Sequence, residues 1–255
     1  MFIMNIIVIL SIVPDTETKI QLNDNNVEMD QSTEWIINPY DEYAIEAAIQ
    51  FKEKHGGEIT SISFANGKEE KPIRKAMAMG VDKSIIIETS SPLSSISTEY
   101  MNAISTQINS SNADIIFTGK LVTDTNNNFI GPSVAQILNL PIITEISSIH
   151  FSDNILTVTR NNAGQVEKYT SSLPILLTTD KSLNTPRYPK LPDIMKAKKK
   201  TITRVSYDIN ENSPQITIIK SEFPQEKDSG EIFEGTSEEL VTILIDALTN
   251  KEKIL

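Results

Sequence analysis

The sequence predicts an α/β fold, a mostly parallel, doubly wound sheet with antiparallel edge strands added and a C-terminal arm. Three observations predict it. Between residues 5 and 179, short β-branched runs alternate with stretches of helical periodicity, which is how strand–helix–strand units read. After Pro141 the runs come too close together for crossover helices to fit between them. Beyond about residue 205, proline, glycine and polar residues break the chain until one last amphipathic stretch. On this reading residues 1–205 form the α/β domain and residues 206–255 the arm.

Residues 5–10 read as a first strand, rich enough in Ile and Val to be buried on both faces. The apolar stretch 1–13 has no basic residue ahead of it and no small-residue cleavage site after it, since Pro14-Asp15-Thr16 follows. It therefore reads neither as a signal peptide nor, being too short, as a membrane span. The chain is expected to be cytoplasmic. Residues 39–54 form a helix with Ala44, Ile45, Ala48 and Ile49 on one face, stopped by Gly56-Gly57. A strand over 58–64 and a short helix over 72–79, ending at Gly80, come next. A strand over 84–88, a helix over 95–109, a strand over 114–118 and a helix over 132–138 complete the alternating part. The four runs 142–149, 155–159, 166–169 and 174–179 suggest hairpins or edge strands. Ser213-Pro214, Phe223-Pro224 and Asp228-Ser229-Gly230 interrupt the arm. Its final helix begins at Thr236, where Glu239 completes a capping box. Leu240, Val241, Leu244, Ile245 and Leu248 give that helix an apolar face, which either packs back on the domain or covers another chain.

A chain of 255 residues can bury a sizeable core, and its net charge of −11 opposes general nucleic-acid binding. With no cysteine there is no disulfide, thiolate nucleophile or cysteine-held cluster, and His55 and His150 lack metal-ligand spacing. No nucleophile elbow, catalytic triad or G-x-G-x-x-G fingerprint is present. No catalytic residue and no metal ligand are expected. In a doubly wound sheet ligands bind at the carboxyl ends of the strands, here residues 11–16, 38–41, 65–67 and 119–131. The last runs through small polar residues into a helix start at Gly131-Pro132. It reads equally well as an anion-binding amide cluster or as an ordinary connection. The basic run Lys196, Lys198, Lys199 and Lys200 follows Leu191, which stands between Pro189 and Pro192. A charge run is usually a solvated face, but this one is built to dock an acidic partner: prolines limit the entropy lost on binding and lysines speed encounter.

The segment Leu183-Asn184-Thr185-Pro186-Arg187-Tyr188-Pro189-Lys190-Leu191-Pro192-Asp193-Ile194-Met195-Lys196-Ala197-Lys198-Lys199-Lys200 resembles the most characteristic stretch of electron-transfer flavoprotein β subunits, L-N-E-P-R-Y-x-x-L-P-N-I-M-K-A-K-K-K. Three shorter matches fall in order: Val13-Pro14-Asp15-Thr16, Asn38-Pro39-Tyr40-Asp41-Glu42 and Arg74 to Asp82. The resemblance spans residues 4–250. It implies an adenine-nucleotide-hydrolase-like domain in a heterodimer with an α subunit that supplies most of the FAD site, and an AMP buried in β. It further implies an arm that wraps the α subunit, docking on flavin dehydrogenases, and delivery of electrons to a membrane quinone oxidoreductase, with no insertion into the membrane. Tyr188, Leu191, Pro192, Ile194, Met195, Lys196 and Lys199 would form the docking loop, with Leu191 its anchor. Asn38, Thr16 and Tyr40 would lie on the cofactor side, the last two near the isoalloxazine ring. Ile9, Phe64, Asp124, Asn127, Asn128, Phe129 and Ile130 would line the AMP site.

Several positions depart from the family. Thr125 to Gly131 stands where D-D-x-N-Q-T-G is usual, so Phe129-Ile130 replaces the Gln-Thr pair that contacts the AMP phosphate. Ile9 replaces a small residue, Phe64 a cysteine and Ser11 a basic residue, and Arg160 lacks the acidic residue and paired glycines that usually follow it. The expectation is that AMP binding is weakened or lost, with Phe129, Ile130 and Phe64 filling the hole. Two other readings remain open: an electron-bifurcating relative with a second FAD in β, for which these bulky residues leave little room, and a structural paralogue without cofactor.

Overall fold

Four consecutive apolar residues found the sheet. In β1 (Asn5–Ile9), Ile6, Ile7, Val8 and Ile9 are all buried, as a strand covered on both faces requires. The computed structural model describes residues 4–23, 26–29, 32–91, 93–210, 212–213, 216, 218–225, 230, 232–251 and 253–254. Met1 to Ile3, Pro214, Asp228 and Ser229 lie outside the described residues.

Four short strands follow β1: β2 (Ile12–Pro14), β3 (Ile20–Asn23), β4 (Asn26–Met29) and β5 (Trp35–Ile37). Then come α1 (Pro39–His55), β6 (Glu58–Phe64), α2 (Glu70–Met79), β7 (Lys83–Thr89) and α3 (Thr98–Ser110). The chain continues through β8 (Ile115–Gly119), α4 (Ile130–Leu138), β9 (Ile142–Ser152), β10 (Ile155–Asn162), β11 (Gln165–Ser171) and β12 (Ile175–Thr179). It finishes with α5 (Leu191–Ala197), β13 (Ile202–Tyr207), α6 (Ser237–Asp246) and a π-helical turn over Ala247–Lys251. The helices and strands expected between residues 5 and 138 are present, displaced at their ends by no more than about one helical turn.

A nine-stranded sheet runs in the order β11-β10-β9-β12-β8-β1-β6-β7-β13. Pairing is parallel from β9 through β13 and antiparallel only in the β9–β10–β11 meander at one edge. Ile6 and Val8 of β1 face α1 and α2, while Ile7 and Ile9 face α3 and α4. Helices thus cover both faces, and the period of two in β1 assigns alternate residues to the two cores.

Three features differ from the sequence reading. The run at 174–179 is not an edge strand: β12 lies between β8 and β9, parallel to both, with all five residues buried. Its unbroken Ile175-Leu176-Leu177 is the mark of a strand covered on two sides. A strand also forms past residue 200, where β13 pairs with β7 and Arg204 bonds Glu69 and Glu88. Two small antiparallel pairs, β2–β5 and β3–β4, fill the link between β1 and α1. The capping box at Thr236 and Glu239 is formed. No residue of α6 is buried, and Val241, Leu244 and Ile245 are each more than half exposed.

Candidate functional site

β6 and β8 leave β1 in opposite directions, so the sheet's switch point lies between β1 and β8. Asp41, in the first turn of α1, plugs that crevice. Its Oδ2 accepts the Ser11 amide and its Oδ1 the Gly119 amide, both at 2.7 Å. Burial pushes this carboxyl up to about 7, against the downward pull of the two amides. Only glycine fits at 119, because a Cβ there would stand 2.5 Å from Asp41 Oδ1. Asn38, fully buried, donates to the Leu121 carbonyl at 2.8 Å and accepts the Thr123 amide at 3.2 Å, so it holds the loop after β8 in place.

Beyond this plug a cavity of about 230 Å³ opens among Ser11, Phe64, Ser95, Tyr100 and Asp124. Phe64 stacks on Tyr100 with ring centroids 4.1 Å apart. Ile9 and Ile130 are buried in the core beside the cavity and do not line it. Phe129 is half exposed on the outer surface near Pro132 and Ile137. Of the three residues expected to fill the hole, then, only Phe64 reaches it. Asn127 closes the cavity toward α4: its Nδ2 donates to Ser95 and Thr125, and its Oδ1 accepts the Phe129 amide at 3.2 Å. Asn128 is exposed. The lining includes no cation among the described residues, and the Phe129 amide just ahead of α4 is already bonded to Asn127.

Thr16 and Tyr40 also lie at the carboxyl end of the sheet. Thr16 is exposed in an open depression with Thr33 and Glu34. The Lys120 ammonium lies 5.2 Å from the Tyr40 ring centre, 2.9 Å from Asp180 and 3.4 Å from Glu145. Burial pulls the Lys120 ammonium down, but these two carboxylates outweigh it and hold it above the usual lysine range. Lys120 escaped the sequence reading, because only the bulge that turns Glu145 to a positive φ brings the partners together.

The segment before α5 is strapped to α1. Arg187 forks between Glu46, at 2.8 and 3.0 Å, and Glu53, at 2.6 and 3.1 Å. Asn184 donates to the Tyr43 carbonyl. Arg74 of α2 donates to the Ala197 and Lys200 carbonyls, and Ala197 is buried beneath. What remains outside is Tyr188, 90% exposed, with Leu191, Pro192, Ile194, Met195, Lys196 and Lys199. Leu191, Ile194 and Met195 share one helix face, since they stand three and four residues apart. Beside them an apolar groove of about 440 Å³ runs between β5, α2 and α5, lined by Trp35, Pro72, Ile194 and Lys198. Neither Trp35 nor Pro72 was legible as its wall, since only the tertiary fold brings β5 to α2.

A family model described as the electron transfer flavoprotein domain matches residues 27–210. The chain belongs to the electron transfer flavoprotein family. It is 36% identical to the electron transfer flavoprotein subunit beta of Bacillus subtilis, covering 99% of this chain and 100% of that one. It is 30% identical to the mitochondrial subunit beta of Arabidopsis thaliana over the same shares. It is 29% identical to the acryloyl-CoA reductase electron transfer subunit gamma of Anaerotignum propionicum, covering 98% of this chain and 100% of that one. Membership in the electron transfer flavoprotein family carries an electron-transfer role in association with a flavin. Among the described residues no helix is long and apolar enough to cross a membrane, and no group of three His, Asp or Glu side chains could hold a metal ion.

Proposed function

We propose that this chain is the β subunit of a heterodimeric, FAD-containing electron carrier of the cytoplasm. The carrier takes electrons from flavin dehydrogenases and passes them to a quinone-linked acceptor. The observation that carries the reading is the α5 segment. Leu191, 73% exposed, stands at the start of a helix braced by Arg187 and Arg74, an apolar anchor held ready before any partner arrives. A braced anchor loses little freedom on docking, and Lys196 and Lys199 beside it favour an acidic approach.

The flavin, when bound, supplies reversible electron acceptance. The depression beside Thr16 is open to solvent, so an α-type chain would hold most of the flavin, while Tyr40 and Thr16 border it from this side. Tyr40 would offer a ring face, and Lys120 a fixed positive charge. The exposed apolar face of α6 would be covered by the same α chain, making residues 206–255 an arm on the partner and residues 1–205 the nucleotide-binding-type domain. Catalytic chemistry would belong to the dehydrogenases that the carrier serves.

Co-expression with an α-type chain, followed by a visible spectrum and analysis of released cofactors, tests the reading. One FAD per pair, reduced on adding a flavin dehydrogenase and its substrate, is the expected result. A pair that assembles without flavin would sink it in favour of a structural paralogue. Two FADs would point to bifurcation.

A further inference from the structure

The four lysines at the end of α5 look alike in sequence and differ in space. Lys196, Lys198 and Lys199 are exposed. Lys200 is half-buried and turned back toward α2: its ammonium donates to the Val81 carbonyl at 2.6 Å and to the Met77 carbonyl at 3.4 Å. Both carbonyls lie at the C-terminal end of α2, where a helix runs out of amides and a cation offsets the negative end of its dipole. Burial pulls the Lys200 ammonium below the usual lysine range, although Asp82 opposes it, so this charge is solvated by carbonyls rather than by water.

Arg74 makes the converse contact. Its Nη1 donates to the Ala197 carbonyl at 2.9 Å and to the Lys200 carbonyl, both at the end of α5. Each helix therefore ends on a cation that the other segment supplies. α5 is seven residues long and buries only Ala197. A helix of that length does not hold its shape alone in water, so the contacts at its end decide where its apolar face points.

We propose that Lys200 is a positioning residue and not one of the docking charges: with Arg74 it clasps α5 to α2 and fixes the direction in which Leu191 is presented. The consequence for docking rests on the carrier reading above; the clasp itself does not. Labelling the full chain with an acetyl N-hydroxysuccinimide ester needs no variant, and Lys200 is expected to react about tenfold more slowly than Lys199. Lys200→Met and Lys199→Met each remove one charge from the run. Lys200→Met should speed amide hydrogen exchange over 194–200 about tenfold, and Lys199→Met should not. In steady-state reduction of the assembled heterodimer by a flavin dehydrogenase, Lys200→Met should raise KM about fivefold with kcat and salt dependence unchanged. Lys199→Met should instead flatten the salt dependence. Lys200 labelled as fast as Lys199, or exchange unaltered by Lys200→Met, would overturn the clasp. An unaltered KM in Lys200→Met, where Leu191→Ala raises it, would overturn its role in docking. If Leu191→Ala also leaves KM unchanged, the docking reading itself fails, and labelling and exchange still decide the clasp.

Discussion

Asp41 concentrates the energetics of the switch point in one carboxyl. It is 2% exposed and accepts amides from the loops that leave β1 and β8. Its value rises from 3.8 to about 7 because burial disfavours the charge. A carboxyl raised on folding contributes stability below its unfolded value and loses that contribution as pH rises through its folded value. Asp41→Asn cannot ionise, and its amide nitrogen must face one of the two backbone donors, a mismatch worth about 1–3 kcal/mol. The stability advantage of the wild type over this variant should therefore shrink between about pH 4 and pH 8. Urea unfolding of both proteins across that range checks it, and an advantage that grows toward alkaline pH would mean that the amides outweigh burial. Leu191 is the opposite kind of residue, exposed and without structural work. Leu191→Ala should leave the melting temperature unchanged and raise the KM for a flavin dehydrogenase partner by about 30-fold, as loss of a hot spot of about 2 kcal/mol would. An unchanged KM would remove Leu191 from the docking surface.

At the level of elements, the strap from Leu183 to Lys190 lies on α1 through Arg187. Glu46 beneath it is 3% exposed, so Arg187→Ala strands a buried carboxylate. The guanidinium side chain is 37% exposed, and solvent screening moderates the loss to about 1–3 kcal/mol. Faster amide hydrogen exchange should appear over 183–190, and Arg187→Lys should restore little, because a lysine cannot fork between Glu46 and Glu53. Exchange indistinguishable from wild type would show that Asn184 and Arg74 suffice to hold the segment. In α6 the apolar residues contribute almost nothing to this chain alone. Leu244→Asp and Ile245→Asp together should shift its unfolding free energy by less than about 0.5 kcal/mol. They should abolish co-purification with an α-type chain, if that chain covers the helix. Retained co-purification would place the partner's contacts elsewhere.

Across the whole molecule, an acidic chain of net charge −11 carries a basic run, Lys196, Lys198, Lys199 and Lys200, at the proposed docking surface. Raising ionic strength from about 0.01 M to about 0.15 M shortens the screening length from about 30 Å to about 8 Å. Stopped-flow reduction by a dehydrogenase should slow by about tenfold over that range, and a rate indifferent to salt would exclude electrostatic steering. The alternation of strand and helix up to residue 138, the exposure of Leu191 and the capping box at Thr236 were all legible from local pattern, because each depends on residues close in sequence. The buried place of β12, the strand β13 and the walls of the 230 Å³ cavity were not. β12 and β13 earn their places by pairing with strands far away in the chain, and a short apolar run looks the same at the edge as at the centre. Phe129 shows the limit most plainly: its neighbours in sequence belong to the loop expected to bind a nucleotide, but the helix that follows turns it outward. By itself the sequence determined the class of fold, the family and the basic, apolar-anchored character of the segment from Leu183 to Lys200, all carried by residue type and spacing along the chain. Only the tertiary structure decided which side chains enclose the cavity and which charges meet at Asp41, Lys120 and Arg187, because desolvation and hydrogen-bond geometry depend on what lies opposite in space.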